Sequence, residues 1–252
     1  MRIAVVSDIH GNLPALEAVF KDIRRRGVDQ VVNLGDSLSG PLLPLETAQY
    51  LMGQNWIHIA GNHERQILDP DARAPVDVYA FSQLTHKELG WIASLDTCLE
   101  LSSGILLCHG TPGSDRDYLL ETVEPTGVRI ASSDEILTRL GEAKAELILC
   151  GHTHFPRSVR LQRGQLIINP GSVGMPSFDD AYCYPHVIET GSPDARYAIV
   201  EKQGGEWVSS LIAVPYPYKE MVSLARSRGM QDWAYCINSG YARIDATYPA
   251  DI

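Results

Sequence analysis

Long apolar runs are missing from this sequence. No stretch of 18 apolar residues occurs that could span a bilayer as a helix. A cleavable leader is not visible either, because the first strand pattern begins at Arg2 and meets polar residues by Ser7. Cysteine is scarce and odd in number, five in 252 residues without a CxxC pair, which excludes a disulfide framework. Cys108 and Cys150 each close an apolar run and read as buried thiols at strand ends, while Cys98, Cys183 and Cys236 read as structural or surface residues. Positive charge is also short. The 21 Lys and Arg against 31 Asp and Glu leave a net charge of −10, which argues against broad electrostatic capture of nucleic acid. An anionic substrate stays open, since bound divalent cations would reverse the sign locally. Internal repeats, low-complexity tracts and linkers are absent. A cytoplasmic protein without membrane or bulk nucleic-acid partners is expected.

What is present is enough apolar sequence, 44%, to bury a sizeable core, and one domain over residues 1–252 is expected. Its first ten residues, MRIAVVSDIH, organise the rest. Ile3 to Val6 form a branched apolar run suited to a strand buried on both faces. If extended geometry persists past it, Asp8 and His10 point the same way and make a half-site for a divalent metal. Asn12 before Leu13-Pro14 predicts a helix cap, and the periodicity through Ile23 predicts a helix closed by Arg24-Arg25-Arg26-Gly27. Strands are expected at Gln30–Leu34 and Trp56–Ala60, around a helix at Glu46–Met52. That alternation predicts right-handed crossovers and a parallel core.

Further on, Asp77 to Leu95 reads as helical with an interruption at Gly90. Thr97–Leu101 and Ile105–Cys108 read as a strand pair turning at Ser102-Ser103-Gly104. A helix is expected near Asp134–Gly141 and a buried strand at Glu146–Cys150. Segments 158–162, 165–169, 197–202 and 207–214 suggest an antiparallel run, with a hairpin turn at Gly204-Gly205. Residues 217–240 look helical, with Trp233 as a packing anchor. The C-terminal strand meander and helices thus occupy about 195–240.

Five segments each end an apolar run: Asp8-Ile9-His10, Gly35-Asp36, Gly61-Asn62-His63-Glu64, His109-Gly110 and Gly151-His152-Thr153-His154. Five of the eight histidines lie in them; His58, His86 and His186 read as core or surface residues. Sites in open α/β sheets lie beyond the carboxyl ends of strands, so these motifs should converge. Their order resembles the calcineurin-like metallophosphoesterase superfamily, in its small prokaryotic phosphodiesterase branch. The resemblance implies an α/β fold, a four-layer α/β/β/α sandwich of two mixed sheets flanked by helices. It implies one metal on Asp8, His10 and His154, a second on Asn62, His109 and His152, and Asp36 bridging. It implies a catalytic role for Asp36 and for His63, the latter facing substrate as a proton donor to the leaving oxygen. Imidazole and carboxylate ligands suit Mn²⁺, Fe, Zn²⁺ or Ni²⁺, with Mn²⁺ first. Two such ions can activate a bridging hydroxide for attack on phosphorus.

The protein-phosphatase branch carries an acid and an arginine after Gly-Asp, whereas here the stretch is Gly35-Asp36-Ser37-Leu38-Ser39-Gly40. Ser39 stands in place of the acid, so His63 lacks a carboxylate orienter in this motif. The expected substrate is a small phosphorylated molecule, a phosphodiester or a dinucleoside polyphosphate. Alternatives are a small-metabolite phosphomonoester and a non-catalytic metal-binding scaffold. Arg65, Arg116 and Tyr182 are the substrate-binding candidates. Arg157 could reach a second phosphate and Tyr118, Phe178 and Tyr184 could stack on a base, while Asp179 and Asp180 read equally as solvated loop charges. The long connections 111–133 and 175–193 are expected to wall the site.

Overall fold

The structure is a computed structural model that describes residues 1–101 and 104–243. Ser102 and Ser103 of the expected turn therefore lie outside the described residues. β1 (Arg2–Val6), α1 (Leu13–Arg26), β2 (Gln30–Asn33), α2 (Pro44–Met52) and β3 (Ile57–His58) follow the expected alternation, although β3 is shorter than its apolar run. α3 (Asn62–Leu68), α4 (Pro75–Gln83) and α5 (His86–Ala93) come next. Then come β4 (Cys98–Leu101), β5 (Ile105–Cys108), β6 (Glu121–Glu124), β7 (Gly127–Ile130), α6 (Ser133–Leu140) and β8 (Leu147–Leu149). β9 (Arg157–Arg160), β10 (Leu166–Asn169), β11 (Ser177–Asp180) and β12 (His186–Glu189) follow. β13 (Ala195–Gln203), β14 (Glu206–Val214), α7 (Lys219–Ser227) and α8 (Gln231–Ser239) complete the described chain.

Two five-stranded mixed sheets result, in the orders β14-β13-β1-β2-β3 and β4-β5-β8-β10-β9. In the first, β1, β2 and β3 are parallel and β13 and β14 antiparallel. In the second, β5, β8 and β10 are parallel between antiparallel β4 and β9. Strand alternation sorts side chains into layers. Ile3 and Val5 face Leu107, Leu149 and Ile168 between the sheets. Ala4 and Val6 face Leu16, Val19 and Ile23 of α1, and Ile148 and Ile167 face Ile136 and Leu140 of α6. Helix, sheet, sheet and helix thus stack as four layers, with the parallel strands of both sheets ending on one side.

Local chemistry explains most element ends. Asn12 Oδ1 accepts from the Ala15 amide to cap α1, and Gly27 closes it at φ 65°. Gly204 and Gly205, at φ 59° and 93°, make the two-residue turn between β13 and β14. Four expectations need correction. The 77–95 segment breaks at Leu84-Thr85, not at Gly90, because Thr85 caps α5 and pairs with Glu88 in a capping box. The proposed antiparallel run divides between sheets: β10 joins β8 in parallel, while β13 and β14 return to β1. The connections 111–133 and 175–193 are built around the hairpins β6–β7 and β11–β12. Residues 217–240 form two helices, parted at Gly229 with φ 79°. No helix among the described residues is long and apolar enough to cross a membrane.

Candidate active site

Each motif sits just past the end of a parallel strand, where the chain must turn its side chains inward. The turning is done by left-handed backbone. Asp8, His10, Asp36, His152 and His154 have φ between 53° and 67°, and they are five of the six non-glycine residues with positive φ among the described residues. Asp8 and His10 therefore do not share a direction through extended geometry, as the spacing suggests; β1 has ended at Val6. Such conformations are costly for residues with a Cβ and persist where surrounding structure enforces them. Here Asp8, His10 and Gly11 amides donate to the carbonyls of Gly35, Asp36 and Ser37, which locks the first loop to the second.

The ligand atoms of Asp8, His10 and His154 converge within 4.8 Å, and so do those of Asp36, His109 and His152. Every imidazole in these groups has one nitrogen tied to a carbonyl. His10 Nδ1 bonds Ser39 O at 2.9 Å, His109 Nδ1 bonds Leu34 O at 2.8 Å, and His154 Nδ1 bonds Met175 O at 2.6 Å. His152 uses Nε2 instead, bonding Arg116 O at 2.9 Å. A carbonyl only accepts, so those nitrogens carry hydrogen and the opposite ones are turned inward, toward the other candidate ligand atoms. This is how a protein orients metal-binding histidines.

The charge balance also fits cations. Asp8 and Asp36 are buried with no Lys or Arg partner among the described residues; their ionic neighbours are His109 and His154. Burial opposes their ionisation, but His154 and His109 hold Asp8 below the usual carboxylate range, and His109 and His63 hold Asp36 well below it. Burial, reinforced by His154 and His63, drives His10 down to about 3; burial and His109 drive His152 to about 4. Both stay neutral and able to donate lone pairs. Asn62 Oδ1 is buried without a hydrogen-bond partner among the described residues, a costly state that a bound cation relieves, and Asp8 Oδ1 and His109 Nε2 face only other candidate ligand atoms, His154 Nε2 at 3.3 Å and Asp36 Oδ2 at 3.0 Å. The residues present thus fit divalent metal ions.

Supports around the centre are as specific as the ligands. Glu64 accepts from the amides of Asp36, Ser37 and Gly61, each at 2.8 Å, and pins two motifs together. A Cβ on Gly61 would collide with Asp36 Oδ1 and the His109 ring, so only glycine permits that approach. The Asn169-Pro170-Gly171-Ser172 turn braces two loops. Asn169 donates to Gly151 O and Thr153 Oγ1, and Ser172 Oγ donates to Asp8 O.

His63 does have a carboxylate orienter, from outside the motif. Asp77 of α4 is fully buried, and its Oδ1 lies 2.8 Å from His63 Nδ1. Ser39, in the place of the acid expected from the resemblance, donates to the same oxygen at 2.6 Å. Asp77 Oδ2 meanwhile accepts from the Ala74 amide and caps α4. Burial opposes protonation of His63, but Asp36 and the Asp77 hydrogen bond outweigh it and lift its pKa to about 9. In the sequence Asp77 looks like an ordinary cap after a proline, with nothing to mark its second task.

A cavity of about 330 Å³ opens over the centre. His10, Asp36, Asn62, His63, His152 and His154 form its floor. Of the substrate-binding candidates, Arg116 lines it. Tyr182 props Arg116, with the guanidinium 4.4 Å from its ring centroid, and its hydroxyl donates to Asp117. Arg65 instead makes an exposed two-bond pair with Asp115, and Arg157 pairs with buried Glu121. Tyr118 is buried against His152 and bonds His186. Phe178, Asp179 and Asp180 of β11 do line the cavity. Trp233 also lines it, 5.7 Å from the His10 ring, so it is more than a packing anchor. Its neighbours Asp232 and Cys236, and Gln66 of α3, line the cavity too, and no local sequence pattern distinguishes them.

Strand ends from two sheets that aim imidazoles and buried carboxylates at one point define a metal-dependent hydrolase of phosphate esters. The calcineurin-like phosphoesterase superfamily domain matches residues 1–190, and the chain belongs to that superfamily. It is 24% identical to the uncharacterized protein MJ0912 of Methanocaldococcus jannaschii, covering 92% of this chain and 94% of that one. In fold it resembles a metallophosphoesterase from Sphaerobacter thermophilus, with TM-score 0.74, 24% identity and coverage of 96% and 100%. The hypothetical protein PH1004 from Pyrococcus horikoshii OT3 is similar at TM-score 0.72, with 19% identity and coverage of 96% and 99%.

Proposed function

We propose that this protein is a dinuclear phosphodiesterase. Asp8, His10 and His154 would hold one divalent transition-metal ion and Asn62, His109 and His152 the other, with Asp36 between them. The mixed nitrogen and oxygen donors suit Mn²⁺ first, then Fe, Zn²⁺ or Ni²⁺. When bound, such a pair supplies Lewis acidity toward a phosphoryl oxygen and an acidified water. The chain's own residues do the rest. Asp77 and Ser39 fix the His63 ring with Nδ1 occupied, leaving Nε2 for a leaving oxygen. Asp36 Oδ1 accepts from the His63 amide at 2.9 Å, which ties the acid to the metal-holding carboxylate. Arg116 offers charge-assisted hydrogen bonds to a phosphoryl oxygen.

The observation that carries this reading is the oriented His63 at the floor of a cavity reaching past the centre to β11 and α8. A phosphomonoester carries one organic substituent and a diester two, and the cavity has two unlike walls to receive them, Phe178 and Trp233 on one and Gln66 and Arg116 on the other. Dinucleoside polyphosphates find less support, because Arg116 is the lone Lys or Arg in the lining among the described residues. All five thiols are unpaired, which supports a reducing, cytoplasmic setting. The test is turnover of Mn²⁺-loaded protein on bis(p-nitrophenyl) phosphate, p-nitrophenyl phosphate and diadenosine tetraphosphate. The diester should have the highest kcat/KM. A monoester advantage would overturn the diester assignment.

A further inference from the structure

The cavity has unlike walls, and the difference bears on which alcohol leaves; this inference rests on the phosphodiesterase reading. Phe178 lies 4.7 Å from His154 and Trp233 5.7 Å from His10, ring to ring, so both aromatics abut the same metal-ligand group. Asp179, Asp180 and Asp232 line the cavity beside them. The opposite side carries Arg116, whose carbonyl bonds His152, and Gln66, whose Oε1 accepts from Asn62 Nδ2 at 3.2 Å.

His63 belongs to the aromatic side. Its ring stands 5.4 Å from His10, edge to face, and Trp233 packs against that same His10. His63, Trp233 and the three acids line one cavity, so an alcohol that takes its proton from His63 has the aromatic, acidic wall within the same space. Indole faces attract cations, quaternary ammonium above all, and adjacent carboxylates add to that attraction. A leaving group with further phosphates would meet three carboxylates instead.

The acids are not a third metal site. Among the described residues only two groups of ligand atoms converge, and neither includes Asp179, Asp180 or Asp232. Asp179 and Asp180 are half-buried where they line the cavity, and Asp232 is exposed at its edge.

We propose that the leaving group is an amino alcohol, its primary or quaternary ammonium seated between Trp233 and the carboxylates. The test separates charge from shape and needs no turnover. Calorimetry on Mn²⁺-loaded protein compares (3-trimethylammoniopropyl)phosphonate with its carbon isostere, 4,4-dimethylpentylphosphonate. The ammonium ligand should bind at least about fivefold more tightly, within the range of a partly desolvated cation–π contact. Asp232→Asn or Trp233→Leu should lower that ratio at least about twofold. A ratio below five, absence of binding, or a ratio that neither substitution lowers overturns the proposal. Hydrolysis of bis(p-nitrophenyl) phosphate, which carries no cation, reports separately on the reading beneath it.

Discussion

The two sides of the cavity are built from the same kind of strand-end loop and yet differ in what surrounds them. Around Asp8, His10 and His154 the neighbours are rings and carboxylates, contributed by β11 and α8. Around Asn62, His109 and His152 they are Gln66 and Arg116, contributed by α3 and the 111–133 connection. The ligand geometry is fixed on both sides by backbone carbonyls at 2.6–2.9 Å. On the proposed function, the shared inner frame carries the reaction chemistry and the segments laid over it carry substrate choice. Changes to the frame should cost far more than changes to the walls.

Asp36→Asn should break the comparison altogether, because this carboxylate is the one proposed to serve both ions. Elemental analysis should show impaired retention of both ions, and turnover should fall further than in any variant below. Full double occupancy in that variant would contradict the bridging role. His63→Ala should keep the metals and lose about 10²–10⁴-fold in kcat. The loss should be larger for an alkyl alcohol than for nitrophenolate, which departs without protonation; equal losses would point to phosphoryl binding instead. Asp77→Asn keeps the shape of the orienter while weakening its hold, and a fall of about 10-fold to 10²-fold in kcat with metals retained is expected, as for other orienting partners.

Smaller effects sharpen the contrast between the walls. Arg116→Ala leaves its carbonyl on His152, so metal content should hold while KM rises about tenfold, the scale of one hydrogen bond to a charged group. A metal loss there would show that the side chain, too, supports the frame. Arg65→Ala should change kcat/KM by less than about twofold, because an exposed pair such as Arg65–Asp115 contributes only about 0–1 kcal/mol.

Much of this was legible from residue order alone. Apolar runs ending in Asp8, Asp36, Asn62, His109 and His152 mark five strands and what each delivers, because burial and strand-end position are local consequences of composition. The layered fold follows from the same alternation of strands and helices. Three features were decided only in three dimensions. The left-handed turns at Asp8 and His10 come from hydrogen bonds to a loop some thirty residues on, which no local propensity records. Asp77 reaches His63 because α4 packs behind the third motif, and Ser39 completes the contact from another loop. Trp233 and Asp232 reach the cavity from the far end of the chain, since α8 packs on Leu42 and Met175 beside the centre. Sequence determines which groups a strand end presents; which distant side chains surround them depends on packing between segments, and a single sequence holds no local trace of that.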